Sequence, residues 1–476
     1  MEIETLVNEA IQKSEEFFRE GHFQAAETML TQILKVVPEN LQAKKLLGII
    51  LYKLKKYLPA IEILLTASQE DAEVNNTLSL CYWDTADLDH AREYNQKSLD
   101  LSPANTGFKI THALLMADKK EALIYLSTLP QTSEVLKTIG VIHGGERRLQ
   151  LAANFFEKSV ELDPNNHEAH VDLAYTLFLL GDFNRGWASY EHRLYYYEQM
   201  TFFKKLYWHK PLWNGEDLTD KKLVVYCEQG LGDFIQFARY LPELAKKGNI
   251  LLHVNKDALP LLQENNYPVT LGQNYQEFDY QCSLISAPYL LGTMQAKVPY
   301  FTANKKANLS AYSEFKIGIV WGGNPQHPND QNRSCYLKDF RSIHDLPGIK
   351  LFSLQKDLRL RGYPNKKEPV NLAEGCQDMK VVDMSPYIHD LTDTAAIIQE
   401  MDLIITVDTS VLHLAGAMNK PVFGLIASSP DWRWTDQGET SIWYPSLKLF
   451  RQNQPGDWQE VFQRVEKEVV KKARLA

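Results

Sequence analysis

KLVVYCEQGLGDFIQFARY, residues 222–240, holds three pieces in order. Lys222 to Cys227 is an apolar run of strand length. Glu228-Gln229-Gly230-Leu231-Gly232-Asp233 is a glycine-bearing turn, and Phe234 to Leu244 carries a helical pattern. The same order returns further on, where a run from Leu403 to Val407 meets Asp408-Thr409-Ser410 and then a helix-like stretch, Val411 to Met418. Other strand-length runs stand at Ile250–Val254, Ile317–Trp321, Leu351–Leu354 and Val422–Leu425, and Ala395–Met401 reads as helix. Continuous apolar strands alternating with helices imply parallel sheets covered on both faces, the doubly wound arrangement. The polar segment Lys305 to Glu314 divides the runs into two sets, so the expectation is two α/β lobes, residues 201–312 and 313–476. A helix from Trp458 to Leu475, apolar at Val461, Phe462, Val465 and Val469, closes the second. Ligands in such folds lie beyond the carboxyl ends of the strands, in the crevice between lobes.

Both strand–turn–helix junctions carry chemistry. Gly230 and Gly232 let the backbone turn sharply and leave room for a ligand. Asp233 opens the following helix, where a carboxylate can act as a general base. It can equally be an N-cap, with Gln236 three residues on completing a capping box, and the two roles are compatible. At the second junction, the hydroxyls of Thr409 and Ser410 and the free N–H groups of a helix start form an anion site beside Asp408. His413 falls one turn in, within reach of the same anion, unless it is simply a satisfied core histidine. Ala415, Gly416 and Ala417 are small and permit close approach of sheet or ligand, so Gly416 is counted with this site.

Weaker candidates end other strands. Gly322-Gly323-Asn324 follows the run ending at Trp321 and can present N–H groups to a phosphate, with Arg333 available to pair with it. Gln355 and Lys356 end the next run, and Lys356 can offset a leaving group's charge. In Asp431-Trp432-Arg433-Trp434 the tryptophans either stack on a ligand or pack into the protein. No GxxxxGK[ST] phosphate loop, HExxH zinc motif or GxSxG elbow occurs.

The first two hundred residues repeat. Ala26, Ala60, Ala91, Ala122, Ala152 and Gly186 recur at spacings of 34, 31, 31, 30 and 34 residues. Leu30, Leu64 and Phe156 lie four after the small residue. Pro38, Pro103 and Pro164 lie twelve after it and stop the second helix of each unit. Gly21 and Gly181 lie five before it, at the turn, and Gly48, Gly140 and Ala174 are the small contacts on the first helix. The pattern resembles the tetratricopeptide repeat over residues 5 to 200, with an irregular fourth unit between Thr106 and Gln131 and Asn95 at a usually apolar position. Stacked repeats form a superhelix whose concave face either takes a protein partner or merely supports the next domain.

Bulk properties narrow the class. A length of 476 residues suits two or three domains. A net charge of −9 without a dense basic block argues against nucleic-acid binding. The cysteines, five in number and without a CxxC pair, argue against a disulfide framework or thiolate zinc site and fit a reducing compartment. The N-terminal stretch is not a secretory signal, and no apolar run is long enough to span a bilayer, so a cytoplasmic protein is expected.

Taken in order, Gly181 to Trp187, Pro211 to Glu216, Glu228 to Tyr240, Val320 to Asn324, Arg333-Ser334, Ser353 to Gln355, Val407 to Ala417, Asp431 to Trp434, Trp443 to Pro445 and Leu449 to Gln452 carry a second likeness. The chain resembles bacterial proteins that fuse tetratricopeptide repeats to a GT-B glycosyltransferase domain. That domain is akin to the lipopolysaccharide heptosyltransferases (family 9) and, more distantly, to the O-linked N-acetylglucosamine transferases. The resemblance implies an all-α superhelix, residues 1–200, followed by a GT-B-like domain of two Rossmann-like lobes. It implies Asp233 as the base and a nucleotide-sugar donor site that includes Asp408, Thr409 and His413. With the residue-level candidates, the expected donor site comprises Gly230, Gly232, Gly322, Gly323, Asn324, Arg333, Gln355, Lys356, Asp408, Thr409, Ser410, His413 and Gly416. Related enzymes invert the anomeric carbon and use no metal, so no metal or other cofactor is expected. The repeats favour a protein acceptor and the heptosyltransferase likeness a glycolipid. A scaffold with a degenerate transferase domain is the rival from another class.

Overall fold

The computed structural model describes residues 2–196, 200–294, 296–327, 329–356, 371 and 373–475. The chain forms two compact units, Met1–Asn166 and His167–Ala476.

The first unit consists of antiparallel helical hairpins: Glu2–Arg19 with Phe23–Val36, Leu41–Lys53 with Tyr57–Leu65, Ala72–Asp84 with Leu88–Leu101, Thr106–Leu115 with Lys119–Ser127, and Ser133–Gly145 with Leu149–Leu162. The repeating alanines Ala26, Ala60, Ala91, Ala122 and Ala152 are fully buried where the helices of a pair touch. Gly48 and Gly140 admit the large side chain of the partner helix. A Cβ on Gly48 would lie 2.3 Å from Leu64, and one on Gly140 would lie 2.7 Å from Phe156. The turn position five before each small residue is left-handed in every hairpin but the fourth: Gly21 (φ 75°), Lys55 (φ 59°), Ala86 (φ 64°) and Arg147 (φ 60°). In the short fourth unit the first helix ends instead in an extended residue, Met116. Buried Asn95 donates to the Phe108 carbonyl (3.0 Å) and meets His112 Nδ1 (3.1 Å), so its burial is compensated.

The second unit begins with one more hairpin of the same kind, His167–Leu179 and Phe183–Tyr190, turned at Gly181 (φ 82°). Two parallel sheets follow. The first contains β1 (Lys222–Tyr226), β2 (Asn249–His253), β3 (Thr270–Gly272) and β4 (Tyr280–Ser283), in the order β3-β2-β1-β4. The second contains β5 (Phe315–Val320), β6 (Ile349–Ser353), β7 (Val382–Asp383), β8 (Leu403–Val407), β9 (Val422–Ile426) and β10 (Leu447–Arg451). Its order, β7-β6-β5-β8-β9-β10, is that of a Rossmann sheet, with the reversal of strand order between β5 and β8. β8 and β9 are buried along their whole length, which is why they read as unbroken apolar runs. The helix Trp458–Leu475 lays Val461, Phe462, Val465 and Val469 on a core with Ile319, Leu403 and Phe423. The segment expected to link the lobes has no regular secondary structure, and its Leu309 is buried against the main core. Among the described residues, no helix is long and apolar enough to cross a membrane.

The first hairpin of this unit is built into its core. Phe178, Trp187 and Tyr190 are buried with Phe237, Trp432 and Trp443, and the Phe178 and Trp432 rings stand 4.6 Å apart. Gly186 makes room for this cluster, since a Cβ there would fall 2.5 Å from the Phe178 ring.

Candidate functional site

A cavity of about 380 Å³ opens where the carboxyl edges of the two sheets face each other. The turn after β1 contributes Gly230, Leu231, Gly232 and Asp233. The loops after β5 and β6 contribute Gly322, Gly323, Asn324, His327 and Arg333, then Leu354, Gln355 and Lys356. The junction after β8 contributes Asp408, Thr409, Ser410, Val411 and His413, and the turn after β9 contributes Asp431 and Arg433. Residues far apart in sequence thus converge at the strand-order reversal, because every parallel strand delivers its following loop to the same edge. The lobes touch here: a Cβ on Gly232 would lie 3.0 Å from His413 Cδ2 and 3.7 Å from the Ser410 Cα.

Residues 354–461 match the family model of glycosyltransferase family 9 (heptosyltransferase). Tetratricopeptide-repeat models match residues 12–67, 72–105, 134–166 and 155–188. Segments similar to tetratricopeptide repeats thus precede a segment similar to family 9 glycosyltransferases. The match supports a glycosyltransferase. Among curated proteins, Protein FlbA of Caulobacter vibrioides is 26% identical over 329 residues, covering 61% of this chain and 52% of FlbA. The chain therefore spans about half the length of that relative. Similar solved structures include TTC0263, a thermophilic TPR protein in Thermus thermophilus (19% identity, 36% of this chain and 98% of that one, TM-score 0.33). Another is Pseudomonas aeruginosa PilF (13% identity, 43% of this chain and 99% of that one, TM-score 0.31).

On the first wall of the cavity the helix after β1 starts at Leu231, with Gly230 as N-cap and no side-chain cap. Asp233 is therefore not the cap that its spacing to Gln236 suggests. It sits in the first turn of that helix. Burial raises the Asp233 carboxyl above its ordinary range, Arg433 opposes this, and the neighbouring Asp431 adds to it. Glu228, from the same motif, points away from the cavity into a buried ion pair with Arg193 Nε (2.9 Å). Arg193 also donates to Ser283 (3.0 Å) and Ser286 (2.9 Å), tying the ends of β1 and β4 together.

At the opposite wall, Thr409 is the N-cap of the helix Ser410–Ala417, and no side chain caps it. His413 Nδ1 lies 2.9 Å from the Tyr444 hydroxyl, and its ring stacks on Trp434 at 5.4 Å. Burial, then the guanidinium groups of Arg433, Arg239 and Arg333, hold His413 well below its usual pKa, so it offers a hydrogen bond and not a charge. The carboxyl of Asp408 is pushed up to about 6 by burial and then by Asp431.

The glycine loop after β5 differs from the sequence reading in its use of N–H groups. Gly322 N–H donates to Gln355 Oε1 (3.0 Å) and Gly323 N–H to Ser334 Oγ (3.1 Å). Gln355 Nε2 donates back to the Gly322 carbonyl (3.1 Å). Gln355 thus braces the loop, and Gly323 is needed for close packing: a Cβ there would fall 2.5 Å from Asp330 Oδ1. Arg333 faces the cavity and lies 3.4 Å from buried Asp330. Lys356 lines the cavity without an ion-pair partner among the described residues. Gly416 does not line it. Its missing Cβ, which would be 2.5 Å from the Tyr444 ring, serves the packing of Tyr444 behind His413.

Trp432 and Trp434 are buried, which selects the packing alternative for both. Between them stands a residue that pattern reading passed over. Arg433 Nε donates to Gln236 Oε1 (2.7 Å), Nη1 to Asp431 Oδ1 (2.8 Å), and Nη2 to Asp233 Oδ1 from the other lobe. An arginine between two tryptophans carries no periodic signal; only the preceding acid hints at a pinned side chain. His327, also unforeseen, is held below its usual pKa by burial and by Arg333. Among the described residues, no group of three or more His, Cys, Asp or Glu side chains is placed to hold a metal ion.

Proposed function

We propose that this chain is an inverting, metal-independent glycosyltransferase that moves a sugar from a nucleotide sugar to an acceptor hydroxyl, on a protein presented by the repeats. One observation carries the reading. In a single cavity, a basic carboxylate on the carboxyl edge of one sheet, Asp233, faces an uncapped helix start with Arg333 and Lys356 on the carboxyl edge of the other. The first wall suits a nucleophile and the second suits a leaving diphosphate.

Asp233 takes the proton of the acceptor hydroxyl. The freed oxygen lone pair attacks the anomeric carbon, and the bond from that carbon to the diphosphate oxygen breaks with its electron pair leaving on the diphosphate. Attack from the face opposite the leaving group inverts the configuration. The departing charge meets the N–H groups at Ser410 and Val411, Lys356 and Arg333, while neutral His413 adds a hydrogen bond. The buried setting of Asp233 raises its basicity toward that of a working base.

Thermal shift against a panel of nucleoside diphosphates and nucleotide sugars tests the donor site. A rise in melting temperature with one nucleotide, reduced in His413→Ala, is expected. No rise with any of them overturns the reading. For the donor so found, Asp233→Asn keeps binding and lowers transfer by about 10²–10⁴-fold, the range for loss of a positioned base. Labelled sugar recovered in protein supports the protein acceptor, whereas label recovered in glycolipid replaces it.

A further inference from the structure

Sugar transfer as described does not account for the way Arg433 is held. Its side chain is 7% exposed, lies on the turn after β9, and reaches Asp233 on the opposite lobe. Gln236, Asp431 and Asp233 take its donors in three directions, Gln229 Oε1 lies 3.4 Å from Nη2, and the guanidinium rests over the Trp432 ring at 4.3 Å. A planar fork pinned on this many sides keeps one geometry, and arginine does not lose its proton in a protein. We propose that Arg433 is a positioning residue for transfer: from across the crevice it keeps the Asp233 carboxylate ionised and fixed at the cavity wall. The proposal rests on the assignment of Asp233 as the base.

The surroundings of Asp233 make such a partner necessary. Burial favours the protonated acid. From the turn after β9, Asp431 adds negative charge, and so does Glu228 from the turn after β1, although Arg193 neutralises much of the latter. The helix after β8 brings neutral His413 and Asp408, and the loop after β5 brings Arg333 and His327. Arg433 is the cation in direct contact. Asp431 shares its charge, so the pair stops short of full neutralisation and Asp233 keeps basicity that a lone arginine contact would remove. A carboxylic acid that is protonated before the acceptor arrives cannot take the acceptor's proton.

Carboxyl-¹³C-aspartate NMR on the full chain reads this without any substrate, with Asp233 identified as the resonance missing from Asp233→Asn. Arg433→Gln is expected to raise the Asp233 titration midpoint by about one unit or more, roughly tenfold less ionised base below both midpoints. Arg433→Lys is expected to return it toward wild type. An unmoved midpoint in a folded Arg433→Gln overturns the proposal. Should that variant fail to fold, Asp431→Asn is read instead: a lowered midpoint supports the proposal and an unmoved one overturns it. Thermal shift with the nucleotide-sugar panel on the same wild-type sample separates the two levels. Stabilisation by a nucleotide sugar with an unmoved midpoint in the variant sinks the role of Arg433 alone. No stabilisation sinks the transfer reading and this proposal with it.

Discussion

His413 shows what burial does to a single residue in this site. Its imidazole is held neutral far below the usual range, so the unfolded chain binds a proton on this side chain that the folded chain refuses. The stability it contributes is present above the unfolded pKa of about 6.5 and is lost as pH falls below it. His192, lowered to about 4 by burial and by His170 and His167, acts in the same direction. Asp408, raised to about 6, acts oppositely: its contribution is present at low pH and is lost as pH rises through about 6. Thermal melts between neutral and mildly acid pH should show wild type losing stability below about 6.5, and His413→Gln losing less over the same window. A second residue-scale test concerns Gly416. Gly416→Val drives side-chain atoms into the Tyr444 ring and should cost about 1–3 kcal/mol in denaturant titration, through overpacking and not through lost ligand contact. At this scale the sequence was legible in placement: Asp233 and the Asp408-to-His413 run, picked out by their position after a strand, line one cavity. One residue type can also serve two ends: Gln355 lines the cavity and braces the glycine loop, while Gly416 lies behind it and serves the packing of Tyr444.

Elements were legible in proportion to how completely they are buried. The runs at β8 and β9 announce themselves because both faces are covered, those at β1, β2, β5 and β6 because at least three consecutive residues are buried, and the helix Trp458–Leu475 because one face is. The short strands β3 and β7 and the mixed strands β4 and β10 lack any such pattern, and pairing with a neighbour already in place defines them. In the repeats, the glycines at 21 and 181 marked a turn whose backbone turned out left-handed at Lys55, Ala86 and Arg147 as well, residues that give no glycine signal. A non-glycine residue in that conformation costs about 1–2 kcal/mol. Ala86 is exposed, so nothing but backbone preference is at stake there. Ala86→Gly should therefore stabilise the protein by up to about 1 kcal/mol, and Gly181→Ala should destabilise it by a similar amount, both read as shifts in the denaturation midpoint.

For the whole molecule, the contact boundary after Asn166 and the sequence boundary near residue 200 give opposite predictions for dissection. A fragment starting at residue 201 lacks Phe178, Trp187 and Tyr190, leaving Trp432 and Trp443 without their neighbours on the turn that carries Arg433. It also lacks Arg193, stranding Glu228 as a buried carboxylate without its cation, a loss of about 3–5 kcal/mol by itself. A fragment 167–476 keeps all of these contacts. Expressed side by side, the longer fragment should melt cooperatively and respond to nucleotide sugar, and the shorter one should aggregate; equal behaviour of the two would contradict the packing described above.

The hairpin from His167 to Tyr190 is similar to the repeats in sequence and belongs to the α/β unit by packing. Its phenylalanine, tryptophan and tyrosine have become foundations of the cavity edge, so this unit has surrendered the interchangeability that repeats ordinarily keep. Duplication, deletion or shuffling of units is open to the chain only upstream of residue 167; an inherited or engineered exchange that reaches past that point swaps part of the cavity-bearing unit along with the repeats.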